Sequence, residues 1–188
     1  MEVRLEDYPK EIILKDGTGV SLRPLRQGDA GLLVEMFNRF SEEDRWFIEG
    51  DVTDLEWTET WLKRMEKDKM MSVVAVLEEQ IIGCGTLIRG ATGPEHHIGK
   101  VRVSVVPIFR EKNLATWMLL DLINMAMDAE IETLVMPLVE DRDSSLIRSI
   151  MKLDFSKEAV LKDYVKDWAG TSYNLALMIK RVHRSWGP

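Results

Sequence analysis

A strand–helix–strand unit at residues 100–139 constrains the fold of this chain more than any other segment. Residues 100–106 alternate apolar and polar side chains, which predicts a half-buried strand that ends at Pro107. Residues 111–129 carry apolar side chains around most of a helix, so we expect that helix to be largely buried. Residues 133–139 predict a second strand. Because a helix joins the two strands, the sheet should contain at least one parallel pair.

The remainder of the chain supplies antiparallel strands and shorter helices. The apolar runs 72–77 and 81–88 are separated by three residues and predict an antiparallel hairpin. Further strands are expected at 20–25, 155–161 and 172–179, and helices at 30–40, from 41 onward, at 54–67 and at 144–153. The predicted fold class is α/β (α+β), a mixed twisted sheet of about six to seven strands with helices on both faces. We expect one domain over 1–188, with an N-terminal extension at 1–17 and a C-terminal tail at 181–188.

Charge and composition narrow the class of protein. The 188 residues include 25 basic and 32 acidic side chains, and the resulting charge of −7 disfavours nucleic-acid binding. This charge either attracts a cationic partner or serves only solubility. No apolar run is long enough to span a membrane, and no secretory signal is present. The single cysteine, Cys84, excludes an internal disulfide, and we expect a cytoplasmic protein.

The turn between the central strand and its helix is the most informative motif. The chain leaves the strand at Pro107 and enters the helix through Arg110-Glu111-Lys112-Asn113-Leu114-Ala115. The first N–H groups of a helix have no partner within the helix, and the helix dipole adds positive character at that end. A turn of this kind is therefore an anion site that suits a pyrophosphate.

In these residues the chain resembles the GCN5-related N-acetyltransferase (GNAT) family. That family carries an Arg/Gln-x-x-Gly-x-Gly/Ala turn after a strand of the type Val-x-Val-x-Pro, matched here by residues 110–115 and 103–107. Val20-Ser21-Leu22-Arg23-Pro24-Leu25 is similar to the family's opening strand, and Lys152-Leu153-Asp154-Phe155 to its Lys-Leu-Gly-Phe segment. The order of elements also matches, so the resemblance extends from Val20 to about Lys180.

The resemblance implies an enzyme that moves an acetyl group from acetyl-CoA to a primary amine of a small molecule or a protein. It implies no metal. Val103 and Val105 would offer backbone contacts to the pantetheine arm of acetyl-CoA. The phosphates would be held, mostly through main-chain N–H groups, by Arg110, Glu111, Lys112, Asn113, Leu114, Ala115 and Thr116.

Besides Asp154, which stands where the family has glycine, the chain departs from the family pattern at three positions that bear on the site. Asn113 replaces the first glycine of the turn, and asparagine is the next most tolerant residue of a left-handed backbone. Lys100 stands where many members have a glutamate general base. Ile150 stands where many members have a tyrosine that protonates the leaving thiolate. The usual base and acid are therefore missing from their common places.

Loops near the same end of the sheet offer replacement catalytic residues. Glu140 directly follows the second strand of the central unit, and Glu49 lies in the loop after the first helix. Tyr164, Ser144 and Ser145 could donate a proton. Each also has a plain structural interpretation, because serines cap helices and surface carboxylates are commonly solvated.

Three tryptophans in the early helical region, Trp46, Trp57 and Trp61, could line an acceptor pocket. Core packing and a homodimer contact are equally compatible with them. The acceptor is expected to be an amine, which could be cationic. Cys84 is expected to be buried and structural, and its neighbouring glycines indicate a bulge or a close approach of a ligand.

Two functions from different classes remain open. The first is the acetyltransferase implied by the turn at residues 110–115. The second is a non-catalytic domain of the same fold that binds an acyl-CoA as a sensor or serves as an interaction module. The replacements at Lys100 and Ile150 favour this second function. Fold likeness does not separate the two, because function depends on the site.

Overall fold

The computed structural model describes residues 7–65, 70–90 and 93–182. Within them one sheet of eight strands has the spatial order β1-β2-β3-β4-β5-β6-β8-β7. The strands are β1 (Lys10–Ile13), β2 (Gly19–Pro24), β3 (Met70–Leu77), β4 (Gln80–Arg89), β5 (Ile98–Val105), β6 (Thr133–Val139), β7 (Ser156–Lys166) and β8 (Ser172–Arg181). The α-helices are α1 (Ala30–Asn38), α2 (Glu42–Trp46), α3 (Leu55–Arg64), α4 (Leu114–Asp128) and α5 (Ser144–Met151). The mixed sheet with helices on both faces is as predicted.

The strand that the sequence analysis missed is β1, which lies in the segment expected to be an extension. Its backbone pairs with β2 in antiparallel register, from Lys10 opposite Leu22 to Ile13 opposite Gly19. Ile12 and the following Leu14 are buried in the core. The prediction of six to seven strands is therefore one short. A four-residue strand at a sheet edge is too short to give a readable alternation of apolar and polar residues.

The parallel pair required by the central unit is β5 with β6. Every other pairing between the described strands is antiparallel. The two strands pair over a short stretch only, from Ile98 opposite Thr133 to Lys100 opposite Val135. Beyond this point β5 and β6 share no further paired residues, although both continue for several residues. The sheet is therefore split between its two central strands.

Helix α4 packs directly on the split sheet, as predicted. A Cβ atom at Gly83 would lie 2.9 Å from the Sδ atom of Met118, and one at Gly85 would lie 3.0 Å from a methyl carbon of Leu122. The close approach of this helix therefore explains the two glycines that flank Cys84. The bulge expected from the sequence also has a counterpart, because the register between β3 and β4 shifts next to Gly83.

The helices form a layer on each face of the sheet. Helices α4 and α5 contribute Met118, Leu122 and Ile150 to one hydrophobic cluster. Helices α1 and α3 contribute Leu33 and Leu62 to a second cluster on the other face. Side chains of β5 alternate between these layers, and this alternation gives the two sides of the split sheet different chemistry.

The start of α4 differs from the prediction, and the aspartates before α1 and α3 differ in whether they cap the helix. Helix α4 begins at Leu114 and not at Glu111, because Glu111 and Asn113 have φ values of 60° and 67°. Asp29 precedes α1 without capping it, since its carboxylate accepts from the Arg23 guanidinium at 2.7 Å. By contrast Asp54 caps α3 by accepting from the Trp57 N–H at 2.7 Å.

Candidate active site

The split between β5 and β6 forms the floor of a cleft of about 1160 Å³. Its walls come from residues 101–105 of β5 and residues 136–139 of β6, which lie beyond the last paired residues. One end reaches the start of α4, and the other reaches α2 and the loop that follows it. An extended molecule that passes through the cleft would thus contact both faces of the sheet.

The end of the cleft at α4 has the geometry of an anion site. Asn113 is left-handed, with φ of 67° and ψ of 9°, and its carbonyl accepts the first N–H of the helical ladder, from Trp117 at 3.1 Å. The N–H groups that precede Trp117 in the first turn have no earlier carbonyl within the helix to bond. Ala115 and Thr116 line the cleft in this turn, so a phosphate there would meet backbone donors.

Eight of the nine residues predicted to bind the cofactor line the cleft: Val103, Val105, Arg110, Glu111, Asn113, Leu114, Ala115 and Thr116. The ninth, Lys112, points away from it. Its ammonium pairs with the Asp16 carboxylate at 2.8 Å, and this contact lowers the pKa of Asp16 to about 2. Its carbonyl accepts from the Lys15 N–H at 3.1 Å. Lys112 therefore anchors the turn to the β1–β2 connection and does not face the phosphate position.

Arg110 also has a partner that the sequence motif did not predict. Its guanidinium donates to the Asp44 carboxylate of α2 at 2.7 Å and to the Val105 carbonyl at 3.2 Å. The other oxygen of Asp44 accepts from Arg142, which follows β6. One carboxylate thus joins the phosphate-side turn to the opposite wall of the cleft.

Helix α2 and the residue after it cross the mouth of the cleft. The Trp46 indole N–H donates to the Lys166 carbonyl of β7 at 2.8 Å. The Arg142 guanidinium lies 4.5 Å from the centre of the Phe47 ring, and that ring meets Tyr173 of β8 edge-on at 6.0 Å. Of the three tryptophans considered for an acceptor pocket, Trp46 lines the cleft. Trp57 and Trp61 stack on each other and pack against the core beside α1.

Glu49 is the predicted catalytic residue that the structure places in the cleft. Its carboxylate pairs with Arg102 of β5, and this hydrogen bond lowers the pKa of Glu49. Lys100, two residues earlier on β5, lines the cleft as well. Burial, followed by the nearby charge of Arg102, lowers the pKa of the Lys100 ammonium.

The other two predicted catalytic residues lie elsewhere. The Glu140 carboxylate pairs with Lys157 of β7 at 2.6 Å, which lowers its pKa, and accepts from the Asn174 amide at 3.2 Å. Tyr164 lies on β7 and is exposed. Neither belongs to the cleft lining, whereas Ser145 does. The assignment of Glu140 and Tyr164 as base or acid stays a prediction, and their positions outside the cleft lining do not favour it.

Sequence reasoning named Ser145 of α5 as a possible proton donor but missed the basic and polar residues that follow it in and just after the same helix. Ser145, Arg148, Ser149 and Lys152 line the cleft beside the start of α4. Their helical spacing places them on one face, and the apolar pattern of the same helix could have revealed this polar stripe. Ile150, in the family's tyrosine position, is fully buried in the core.

Asp143 is a further cleft residue without a sequence signal. Its carboxylate accepts from the Val139 N–H at 2.8 Å at the end of β6. Burial raises the pKa of this carboxyl group. Asp143 therefore holds a proton more readily than an ordinary surface carboxylate.

The cleft has the opposite charge balance from the chain as a whole. Among its described lining residues are seven basic side chains, Lys100, Arg102, Arg110, Arg142, Arg148, Lys152 and Lys166. The acidic ones are Asp44, Glu49, Glu111 and Asp143. The excess of acidic side chains thus lies outside the cleft, and the cleft favours an anionic ligand.

Two further features bear on the chemistry. No three His, Cys, Asp or Glu side chains among the described residues are grouped to hold a metal ion. Cys84 is buried, and burial raises the pKa of its thiol to about 12, so it is unsuited to act as a nucleophile.

In the described ranges, no helix combines the length and the hydropathy needed to cross a bilayer.

Comparison with known proteins gives structural likeness without close sequence likeness. No protein-family model and no curated protein sequence matches the chain. A GNAT-family acetyltransferase from Streptococcus pneumoniae has a TM-score of 0.77 at 21% identity, over 87% of this chain and 99% of that one. A protein assigned as an acetyltransferase from Salmonella typhimurium, solved with its cofactor acetyl-CoA, has a TM-score of 0.75 at 15% identity, over 90% and 97% of the two chains.

A ribosomal-protein-S5-alanine acetyltransferase from Vibrio fischeri is similar to the same extent. Its TM-score is 0.75 at 19% identity, over 90% of this chain and 96% of that one. Because these matches cover nearly the whole of both chains, the chain has the GNAT fold. The resemblance inferred from the turn at residues 110–115 is confirmed at the level of the fold.

Proposed function

We propose that the protein is an acetyl-CoA-dependent N-acetyltransferase that acts on a primary amine. The observation that carries this proposal is the split between β5 and β6, which continues into the helix start at Asn113–Thr116. It joins an anion site on one face of the sheet to a polar pocket on the other. The five steps from Val105 back to Lys100 span about 16 Å of strand, which suits an extended pantetheine arm.

Acetyl-CoA fits the chemistry of the residues present. The backbone N–H groups at Ala115 and Thr116 would bind its pyrophosphate, and the unpaired edge of β5 would bond its amides. Arg148 and Lys152 supply positive charge beside the same helix start. When bound, acetyl-CoA supplies an activated acetyl group as a thioester.

Glu49 is our candidate for the base that receives the proton of the acceptor amine. It lies on the acceptor side of the cleft, and its lowered pKa keeps it ionised throughout the neutral range. A weak base of this kind acts best through a water or on an amine that is already neutral. Asp143, whose pKa is raised by burial, is our candidate for protonating the thiolate.

The acceptor binds, in this proposal, under α2 between Glu49 and Trp46. The sequence analysis considered a cationic acceptor because the chain is acidic. The local balance of charge argues differently, since Lys100, Arg102 and Arg142 all line this region. An amine whose neighbouring groups are neutral or anionic suits the pocket better than a polycation.

A domain that binds acyl-CoA without transferring the acetyl group is the second candidate. Ile150 is fully buried and leaves α5 without an acid in the usual place, and Lys100 occupies the usual position of the base. This candidate predicts the same affinity for acetyl-CoA but no amine acetylation.

The test is to measure acetyl-CoA binding by calorimetry and acetyl transfer to small amines, lysine peptides and peptide N-termini. We expect binding and turnover, and we expect Ala115→Phe to abolish both because the ring fills the phosphate position. Ala159→Phe, on the exposed face of β7, is the matched control and should change neither. Binding without turnover selects the second candidate, and the absence of binding contradicts both.

A further inference from the structure

Lys100 occupies a singular position in the cleft. It is the last residue of β5 that pairs with β6, opposite Val135, so its side chain leaves the sheet where the split begins. Lys152 and Lys166 also line the cleft, but they lie just after α5 and at the end of β7. Among the lysines that line the cleft, Lys100 is thus the one at the point where β5 and β6 separate.

The strand alternation directs Lys100 to the acceptor side. On β4, Gly83 and Gly85 face α4, while Cys84 belongs to the cluster beside α1 and α3. Ser104 is the register partner of Cys84, and Lys100 lies four residues from Ser104 on the same strand. Since side chains alternate along a strand, Lys100, Arg102 and Ser104 share the face opposite α4.

The amine of Lys100 is not committed to another group. Its ammonium forms no hydrogen bond or ion pair with any described residue, and the neighbouring Glu49 carboxylate, which attracts its charge, is paired with Arg102. Burial and the Arg102 charge lower its pKa, which raises the fraction of neutral amine at a given pH. A neutral primary amine is the nucleophile that the proposed function requires.

We propose that Lys100 is itself an acetyl acceptor, so that the protein acetylates its own cleft. This inference rests on the proposed function. The Lys100 Nζ atom attacks the thioester carbonyl carbon, a C–N bond forms and the C–S bond breaks. The electron pair of that bond leaves with sulfur, which takes up one proton to give the CoA thiol. The nitrogen loses one proton, to Glu49 or water, and the product is neutral Nε-acetyl-Lys100.

The modification would limit the activity of the enzyme. An acetylated Lys100 carries no charge and adds a bulky amide to the acceptor side of the cleft. Turnover of an added amine should therefore decline in step with acetylation of Lys100, without a matching loss of acetyl-CoA affinity.

The experiment incubates the full chain with acetyl-CoA and follows the intact mass and the modified peptides by mass spectrometry. We expect one acetyl group at Lys100, added at least about tenfold faster than at exposed Lys63, because the reactants are held together. The rate should not depend on protein concentration. Lys100→Arg should abolish this label while acetyl-CoA affinity persists, and Lys166→Arg should retain it. Ala115→Phe should slow labelling to the rate at Lys63.

Each other outcome decides against the inference. Equal labelling of Lys100 and Lys63, or labelling unaffected by Ala115→Phe, identifies uncatalysed reaction with solvent-accessible lysines. Amine turnover with an unmodified Lys100 overturns the inference and leaves the proposed function intact. Acetyl-CoA binding with neither amine turnover nor labelling of Lys100 overturns the inference and the proposed function together. Failure to bind acetyl-CoA overturns both.

Discussion

At the scale of the residue, Glu49 and Arg102 define the acceptor side of the cleft. The guanidinium fixes the carboxylate and stabilises its charged form, which lowers the pKa of Glu49. A fixed carboxylate beside a neutral amine can accept its proton without rearrangement. Glu140 has an equivalent ion pair with Lys157, but outside the cleft lining.

We expect Glu49→Gln to lower turnover by about 100- to 10,000-fold and to leave acetyl-CoA affinity unchanged. In the parent, the rate should fall only at an acid pH below the usual titration range of a glutamate carboxyl, because the pKa of Glu49 is lowered by its hydrogen bond to Arg102. The variant should lack that limb. Steady-state rates against pH check this, with Glu59→Gln on exposed α3 as a control. If Glu140→Gln reproduces the loss and Glu49→Gln does not, Glu140 is the base.

Asn113 is the second residue with a testable role. Its φ of 67° is a left-handed conformation that costs free energy for any residue except glycine. Asn113→Gly should therefore keep or improve acetyl-CoA affinity and thermal stability. Asn113→Val, which introduces a β-branched side chain, should weaken both. Calorimetry and thermal unfolding measure the two effects, and a Gly variant that binds worse would show that the asparagine side chain itself contacts the ligand.

At the scale of the element, short connections position the acceptor side. Gly50 follows Glu49 with φ of 97°, and a Cβ atom there would lie 1.9 Å from a ring carbon of Trp57. The indole of α3 thus lies directly against the loop that carries Glu49. Trp57 thus packs outside the cleft but against the residue that follows Glu49.

Gly50→Ala should lower the free energy of unfolding by about 2 to 5 kcal/mol, through positive φ and overlap with the ring together. Gly17→Ala isolates the first effect, because Gly17 has φ of 88° and an added methyl group there would meet nothing within 4 Å. We expect that variant to lose about 1 to 2 kcal/mol. Urea unfolding of both variants measures the difference, and equal losses would refute the role of the Trp57 contact.

A buried polar cluster attaches the segment before β1 to α4. The Tyr8 hydroxyl donates to the Asp121 carboxylate at 2.5 Å, and the Lys10 ammonium pairs with its other oxygen at 2.5 Å. Burial, and then the hydrogen bond to Asp121, raise the pKa of Tyr8. Asp121 is buried, and these two donors provide a hydrogen-bond partner for each of its carboxylate oxygens.

Tyr8→Phe should cost about 1 to 3 kcal/mol of unfolding free energy near neutral pH. The pKa of Tyr8 is higher in the folded state, so the parent loses stability as pH rises above about 10, where the unfolded chain releases this proton. The variant lacks that component. Urea unfolding at several pH values from neutral to alkaline tests this, and parallel curves for parent and variant would contradict it.

At the scale of the whole molecule, charge is segregated. The chain carries −7, yet basic side chains outnumber acidic ones along the cleft. Charge is segregated in this way because residues of α4, α5 and β5 meet along the cleft at the split in the sheet, while most acidic residues lie outside it. This distribution would attract an anionic ligand to one place on an acidic protein.

Replacing Arg148 and Lys152 together with Gln should weaken acetyl-CoA binding by about three- to thirtyfold, roughly 1 to 2 kcal/mol. High salt should shrink this difference, because it screens exposed charges. The same charge change at Lys63 and Arg64 on α3, away from the cleft, should have no effect. Calorimetry on the two double variants, each at low and at high salt, measures the loss of acetyl-CoA affinity. Equal losses in both double variants would exclude a local role for α5.

The sequence by itself determined what depends on neighbours along the chain. The alternation before Pro107, the apolar surface of α4 and the turn at Asn113 together predicted the parallel pair, the buried helix and the anion site. These features follow from local backbone preferences and from the need to bury apolar side chains, so they can be read without knowing the partners. The edge strand β1 was missed because its pattern is too short.

Only the tertiary structure decided which polar side chains meet. Glu49 lies 53 residues from its partner Arg102, and Asp44 lies 66 residues from Arg110. The sequence favoured Glu140 over Glu49 as the base by its position after β6, but the pairing of strands placed Lys157 beside Glu140 and the open cleft beside Glu49. An ion pair forms wherever the packed layers bring two charges together, and the order of strands in the sheet, not sequence distance, fixes those places.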